Sequence, residues 1–368
     1  MTARGATGVE ETLARAGDPV ALTAALVAVA SVSGREERLA DLIERRLRTR
    51  GAGLVVRRIG NNVIARTEGS TRGRSPERIV FAGHLDTVPQ FPGRTPPEPD
   101  PDTVAGLGAV DMKGGLAVML LLAERAATAN RHCTFVFYDK EETGSRGSGM
   151  NMLFAGHREL VAGDFAVLLE PTGGTVEAGC QGNLVVELGF VGRRAHTARP
   201  WRGTNAVHRA APALHRIADF VPEPVVIDGL HYRQALSVVG VDGGVQGNVV
   251  PDSCTVRVNY RHAPSLDSAA ATRVVLDLAP EADSARVLLD SPPAAPSLSH
   301  PLAGELLKAA AAPPRPKLGW TDVGRFAQHG VPAANFGPGD SELAHTPDET
   351  VTRADLERAV SVLRTLLA

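Results

Sequence analysis

His84 and Asp86 stand two residues apart at the end of an apolar run, in Phe81-Ala82-Gly83-His84-Leu85-Asp86-Thr87-Val88-Pro89. Side chains at i and i+2 of a strand face the same way, and Pro89 stops the strand. An imidazole and a carboxylate are thus presented side by side at a strand's carboxyl end, where open α/β sheets bind their ligands. Four further groups sit in loops that follow apolar segments: Asp111, Glu142, Glu170 and His345. Imidazole and carboxylate without a neighbouring thiolate suit catalytic zinc or manganese rather than a structural zinc. Five ligands (His84, Asp111, Glu142, Glu170, His345) exceed what one tetrahedral ion takes and fit two ions that share a carboxylate. Asp111 is the expected bridge, because its loop, Gly106 to Gly115, follows the first ligand strand and is flanked by glycines that let backbone approach closely. Two such ions, about 3.5–4 Å apart, can activate water and polarise a carbonyl.

Two acids remain. Glu141 adjoins Glu142, so the two side chains diverge. One can bind metal while the other serves as general base toward water and later as general acid toward a leaving amine. Asp86 can accept the His84 ring N–H that does not face the metal, fixing the tautomer and raising ligand basicity. Any one of these acids alone would read as a solvated loop residue; their recurrence at successive strand ends carries the reading.

The elements that must position these groups alternate. Helical periodicity covers 19–31 and 35–50, with Ser33 or Gly34 available to start the second helix. Strands follow at 54–56 and 62–65 around a turn at Gly60-Asn61, and then comes the strand ending at His84. A helix is expected over 114–128, a strand over 132–138 running into Asp139-Lys140-Glu141-Glu142, and a strand over 165–169 running into Glu170. This predicts an α/β fold with a mixed, mainly parallel sheet covered by helices on both faces. From about residue 180 the pattern becomes a self-contained α+β unit: strands at 184–191, 236–241, 253–260 and 287–289, helices at 204–219 and 266–278. The tail returns to the earlier style, with helices at 300–311, 321–329 and 352–367 and a strand at 333–336. The expected division is 1–179 with 293–368 as one domain and 180–292 inserted as a second. Pro/Gly-rich 89–101 and 291–296 read as loops.

Composition narrows the class. The chain has 368 residues, 43% hydrophobic and 22% charged, with a net charge of −2. That is enough chain for two domains, and it gives no electrostatic case for nucleic acid or an anionic membrane. Cys133, Cys180 and Cys254 form no C-x-x-C, which argues against a disulfide framework and fits a reducing, cytoplasmic setting. Met1 to Gly17 shows no apolar leader segment, and no stretch is long and apolar enough for a membrane helix.

The motifs taken together resemble the M20 metallopeptidase family. They are Gly83 to Pro89, Gly108-Ala109-Val110-Asp111-Met112-Lys113-Gly114-Gly115, Glu141-Glu142, Leu169-Glu170-Pro171-Thr172 and His345, in the family's order. The resemblance implies two zinc ions, with cobalt or manganese as possible substitutes. His84 and Glu170 would hold one ion, Glu142 and His345 the other, and Asp111 both; Asp86 would be the orienting acid and Glu141 the base. It also implies a cis peptide after Asp111, a catalytic domain interrupted by a lid domain, and a homodimer formed through that lid. His196 would stabilise the oxyanion in a neighbouring subunit's site. Asn248, in Gly247-Asn248-Val249-Val250-Pro251, would contact substrate, and Arg261 could pair with a substrate carboxylate. The implied substrate is a small N-acyl amino acid, an N-succinyl one in particular, with N-acetyl amino acids or dipeptides as alternatives. In Cys180-Gln181-Gly182, one branch of the family has a pair of arginines before the glycine, and Gln181 cannot supply a guanidinium fork. A catalytically silent binding protein would lack ligands or base, and here all are present.

Overall fold

The computed structural model describes residues 3–69, 75–91, 100–144 and 147–368, so most of the loop expected at 89–101 lies outside the described residues. The chain forms two compact units. One comprises Met1–Ala178, Pro296–Arg315 and Arg325–Ala368; the other comprises Gly179–Ala295 and Pro316–Gly324.

The first unit is built on a sheet whose strands run in the order Leu54–Ile59, Asn62–Thr67, Arg131–Tyr138, Ser75–His84, Phe165–Leu168, Ala333–Asn335, Glu177–Ala178 and Arg315–Pro316. The four central strands, from Arg131–Tyr138 to Ala333–Asn335, pair in parallel, and antiparallel strands flank them. Every residue of Arg131–Tyr138 is buried, as expected of a central strand covered on both faces. Helix Gly114–Ala123 is apolar throughout and wholly buried, which marks an interior helix rather than a surface one. It packs against the helices Pro19–Val27 and Arg353–Thr365. Ser148 caps the helix Gly149–Gly156, and Thr352 with Asp355 forms a capping box at the last helix.

Several boundaries differ from the sequence reading. The second helix begins at Glu37 with Glu36 at its N-cap, and neither Ser33 nor Gly34 starts it. Ser33 is instead drawn to Asp86, as described below. The helix expected over 114–128 ends at Ala123 and continues only as a short turn at Ala126–Thr128. A two-stranded ribbon, Thr103–Ala105 against Thr350–Thr352, has too few residues to show an alternating pattern and was not foreseen.

The second unit is an antiparallel four-stranded sheet, ordered Ala235–Gly243, Ser253–His262, Gly182–Val191 and Ser284–Ser291. Burial alternates strictly along Gly182–Val191 and Ser253–His262. One face packs Leu184, Val186, Leu188, Phe190, Val256 and Val258 against Ala210, Ala213 and Ile217 of helix Ala206–Asp219 and Val275 of helix Ser268–Asp277. Pro316–Gly324, assigned from sequence to the first unit, belongs to this one. Lys317 accepts from the Gln181 amide, and the Trp320 indole donates to the Pro292 carbonyl at 2.9 Å. Gly324 is also pressed so closely on Pro292 that a Cβ would meet its carbonyl oxygen.

Candidate metal centre

The parallel register fixes the first two of the expected ligands. Ala82 is level with Leu168, so His84 and Glu170, each two residues on, are level at adjacent strand ends. Both are buried. Two glycines let other segments close on this strand end. A Cβ on Gly115 would lie 2.3 Å from the Leu169 carbonyl oxygen, and one on Gly337 would lie 2.5 Å from the carbonyls of Leu169 and Glu170.

Asp111 is delivered by a tight irregular turn, Ala109–Lys113, that precedes helix Gly114–Ala123. The peptide after Asp111 is cis, as the resemblance implied. Asp111 Oδ1 lies 2.9 Å from His84 Nε2, and Asp111 Oδ2 lies 3.3 Å from His345 Nε2. His345 Nε2 is also 2.9 Å from Glu142 Oε1. One ligand atom each from His84, Asp111 and Glu142 falls within a 4.8 Å cluster. Side chains spread over more than 250 positions of sequence thus meet around the Asp111 carboxylate. Glu170 acts on the same point, since its charge is among those that bear on the His84 ring.

The donor set fits a metal. His84 Nδ1 lies 2.9 Å from the main-chain carbonyl of Asp86, a pure acceptor, which places the ring N–H on Nδ1 and the lone pair on Nε2. That lone pair faces a carboxylate oxygen at 2.9 Å. Two electron-rich atoms hold such a distance when a positive species lies between them, a proton or a metal cation. Ligand atoms about 2.0–2.1 Å from one tetrahedral zinc are about 3.3 Å apart, close to the separations seen here. The electrostatics agree. Burial opposes charge on His84, but Asp111 and Asp86 outweigh it and raise its pKa well above the usual imidazole range. The Asp111 and Glu142 carboxylates push His345 up to about 10. Burial alone would raise Asp111, yet the two imidazoles hold it far below the ordinary carboxylate range.

Asp86 does something different from the expected role. The His84 ring N–H donates to the main-chain carbonyl of Asp86, while the Asp86 carboxylate stands 3.6 Å from the ring. That carboxylate accepts the amides of Glu141 at 3.0 Å and Glu142 at 3.1 Å, and the Ser33 hydroxyl at 2.7 Å. Lys140, in the left-handed region with φ 58°, turns the chain into this grip. Asp86 therefore fixes the backbone of the Glu141-Glu142 pair as well as sitting beside His84. Ser33 was missed as a site residue. Its only sequence signal is the short polar Ser31-Val32-Ser33-Gly34 between helices, where Ser31 also bonds to the Leu85 carbonyl.

His196, Asn248 and Arg261 belong to the second unit. The structure brings the first two together: Thr197 donates to the Asn248 carbonyl, and Val250 donates to the Ala195 carbonyl. The Ala198 amide donates to His196 Nδ1 at 3.0 Å. The ring therefore carries its proton on Nε2 and presents it outward from an exposed loop. Arg261 lies elsewhere. It pairs with Asn183 at the start of strand Gly182–Val191, whereas the loop bearing His196 follows Val191, which pairs with Ser253. Eight residues of strand separate the two pairs, about 26 Å at the usual rise. Arg261 is half-buried, and among the described residues no carboxylate pairs with its guanidinium; burial lowers its pKa. Gln181 is buried, and its side-chain amide donates to the Arg261 carbonyl at 3.1 Å.

Comparison with known proteins agrees with this geometry. Residues 80–368 match Peptidase family M20/M25/M40, and the chain belongs to that family. It is 46% identical over 352 residues to a Mycobacterium tuberculosis protein provisionally named succinyl-diaminopimelate desuccinylase, covering 95% of this chain and 98% of that one. It is 39% identical over 361 residues to succinyl-diaminopimelate desuccinylase of Corynebacterium glutamicum, covering 96% of each. The fold is shared with the aminopeptidase PepT of Bacillus cereus, with a TM-score of 0.75 at 20% identity over 97% of this chain and 98% of that one. It is also shared with YXEP of Bacillus subtilis, described as a dinuclear metal binding peptidase, with a TM-score of 0.68 at 17% identity over 98% of each. Among the described residues, no helix is long and apolar enough to cross a membrane.

Proposed function

We propose that this protein is a cytoplasmic di-zinc amidohydrolase that cleaves N-succinyl-LL-2,6-diaminopimelate to succinate and LL-2,6-diaminopimelate. The observation that carries the reading is the meeting of His84, Glu142 and His345 around Asp111, with Asp86 gripping the adjacent Glu141-Glu142 backbone. His84 and Glu170 would hold one ion, Glu142 and His345 the other, and Asp111 both; cobalt or manganese could replace zinc. When bound, the ions supply a lowered pKa for water and a Lewis acid for the acyl carbonyl. Glu141 takes the proton from the attacking water and returns it to the amine nitrogen as the amide C–N bond breaks. His196 donates Nε2–H to the carbonyl oxygen as negative charge develops there.

The substrate assignment draws on the two desuccinylase relatives and on Arg261. A half-buried guanidinium with no carboxylate partner among the described residues is suited to the free carboxylate of a succinyl group, a group that acetyl substrates lack. Arg261 and the loop bearing His196 lie at opposite ends of strand Gly182–Val191, about 26 Å of strand apart, which supports a site completed by two copies, with His196 and Asn248 from one and Arg261 from the other. The edge strand Ala235–Gly243, with Val239 60% and Val241 46% exposed, offers a surface through which the second units of two copies could pair. The assignment is tested by assaying zinc-loaded protein on succinyl-diaminopimelate and N-acetylornithine side by side. Faster turnover of the acetyl compound would reassign the substrate while leaving the metal chemistry in place.

A further inference from the structure

Asp111 and His345 are 234 positions apart, yet their side chains approach to 3.3 Å. The ribbon Thr103–Ala105 with Thr350–Thr352 zips the two loops together on one side of the site, ending at the pair Ala105 and Thr350. One step further in, Gly106 donates its amide to the Glu349 carbonyl at 3.0 Å. Beyond that point the chains fork, one toward Asp111 and the other back toward His345. The Glu349 side chain occupies the fork. It is 1% exposed, and its Oε2 accepts the Val110 amide at 3.3 Å. Lys113, also buried, donates to the Val29 carbonyl at 2.7 Å; burial lowers its pKa to about 7, and the nearby Glu349 opposes that shift. A buried carboxylate that accepts the middle amide of a turn restrains the path of that turn, because releasing it would leave a buried acceptor and an amide unpaired.

We infer that Glu349 is a positioning residue: its carboxylate holds the Asp111 turn against the segment carrying His345 and so sets the spacing of the ligands shared by the two ions. This rests on the reading of Asp111 and His345 as metal ligands. Glu349 would touch neither ion nor substrate and acts through the backbone.

The test uses full-length protein with Glu349→Gln and Glu349→Ala. Zinc affinity is measured by chelator competition, melting temperature with and without zinc, and kcat and KM at saturating zinc. Glu349→Gln keeps an acceptor oxygen in the fork and Glu349→Ala keeps none. Zinc affinity should therefore fall about 10-fold in the first and toward 100-fold in the second, the range found when groups that orient ligands are lost. The rise in melting temperature on adding zinc should shrink in the same order, while KM changes less than about two-fold and excess zinc restores much of the lost kcat. Should Glu349→Ala fail to fold, Glu349→Gln decides. The inference is overturned if Glu349→Gln binds zinc as the wild type does, or if its apo and loaded forms lose the same number of degrees, which would make Glu349 merely a fold residue. Wild-type protein that takes up no zinc would remove the metal reading itself.

Discussion

The two units solve the placing of polar groups in opposite ways. In the first, the sheet is covered on both faces and the strand-end groups of the candidate site are buried, with only His345 among the expected ligands exposed. His84, Asp86 and Glu170 are all at most 5% exposed, and each ligand loop is tied by hydrogen bonds to another. In the second, only one face of the sheet is covered, burial alternates residue by residue, and His196 and Asn248 stand on exposed loops. A rim of fixed groups can hold cations at defined spacing. Groups on an open face acquire a defined partner when another surface meets them. The difference teaches that the first unit carries chemistry that is organised within itself, whereas the second presents groups whose proposed roles need something brought to them.

That contrast can be broken at four points, in order of expected effect. Glu141→Ala should retain two equivalents of zinc and lose about 10³–10⁴-fold in kcat, at the upper end of what general base catalysis supplies. Metal analysis beside steady-state kinetics checks this, and near-normal turnover would remove Glu141 from the reaction. His196→Ala should cost about 10²–10³-fold with zinc content unchanged. Mixing it with Arg261→Ala under conditions that exchange subunits should then restore activity, because a mixed dimer contains one site with both residues intact. Absence of any recovery despite demonstrated exchange would place the two residues in the same protomer's site. Asp86→Asn should lower kcat about 10–100-fold, since an amide side chain cannot accept both the Glu141 and Glu142 amides and the Ser33 hydroxyl as a carboxylate does. An unchanged rate would mean that the grip on this loop is dispensable. Gly115→Ala should act through packing alone, destabilising the first unit by about 1–3 kcal/mol, read from denaturant unfolding. Wild-type stability there would show that the Leu169 strand end yields easily.

Much of the site was legible from sequence because its parts obey local rules. His84 falls where a β-branched and aromatic strand stops, and the i, i+2 spacing places Asp86 beside it. The Gly-rich turn marks Asp111, and the parallel αβ alternation puts Glu142 and Glu170 at successive strand ends. What stayed hidden depends on long-range contact. Nothing near Ser33 announces Asp86, and Glu349 reads as one more acid in a polar loop until the ribbon brings it to the Asp111 turn. The carboxylate of Asp86 was expected on His84, but the main-chain carbonyl is closer to the ring and the carboxylate turns to the amides of the next loop. The distance between His196 and Arg261 was equally invisible, since it follows from strand register rather than from either motif. Pro316–Gly324 groups with the second unit, which the sequence does not announce, because its contacts to Gln181 and Pro292 have no signature there.

The strand Ala333–Asn335 pairs with Phe165–Leu168 on one side and Glu177–Ala178 on the other, although it is made more than 150 residues after both. During synthesis the early part of the first sheet must wait with a gap in its middle until that late segment emerges, while the intervening antiparallel unit has all its strands in hand. Nonlocal pairing of this kind is slow and leaves strand edges bare. A ribosome that stalls before residue 333 would therefore release a chain with one finished unit and one with an open seam, prone to capture a strand from another unfinished copy.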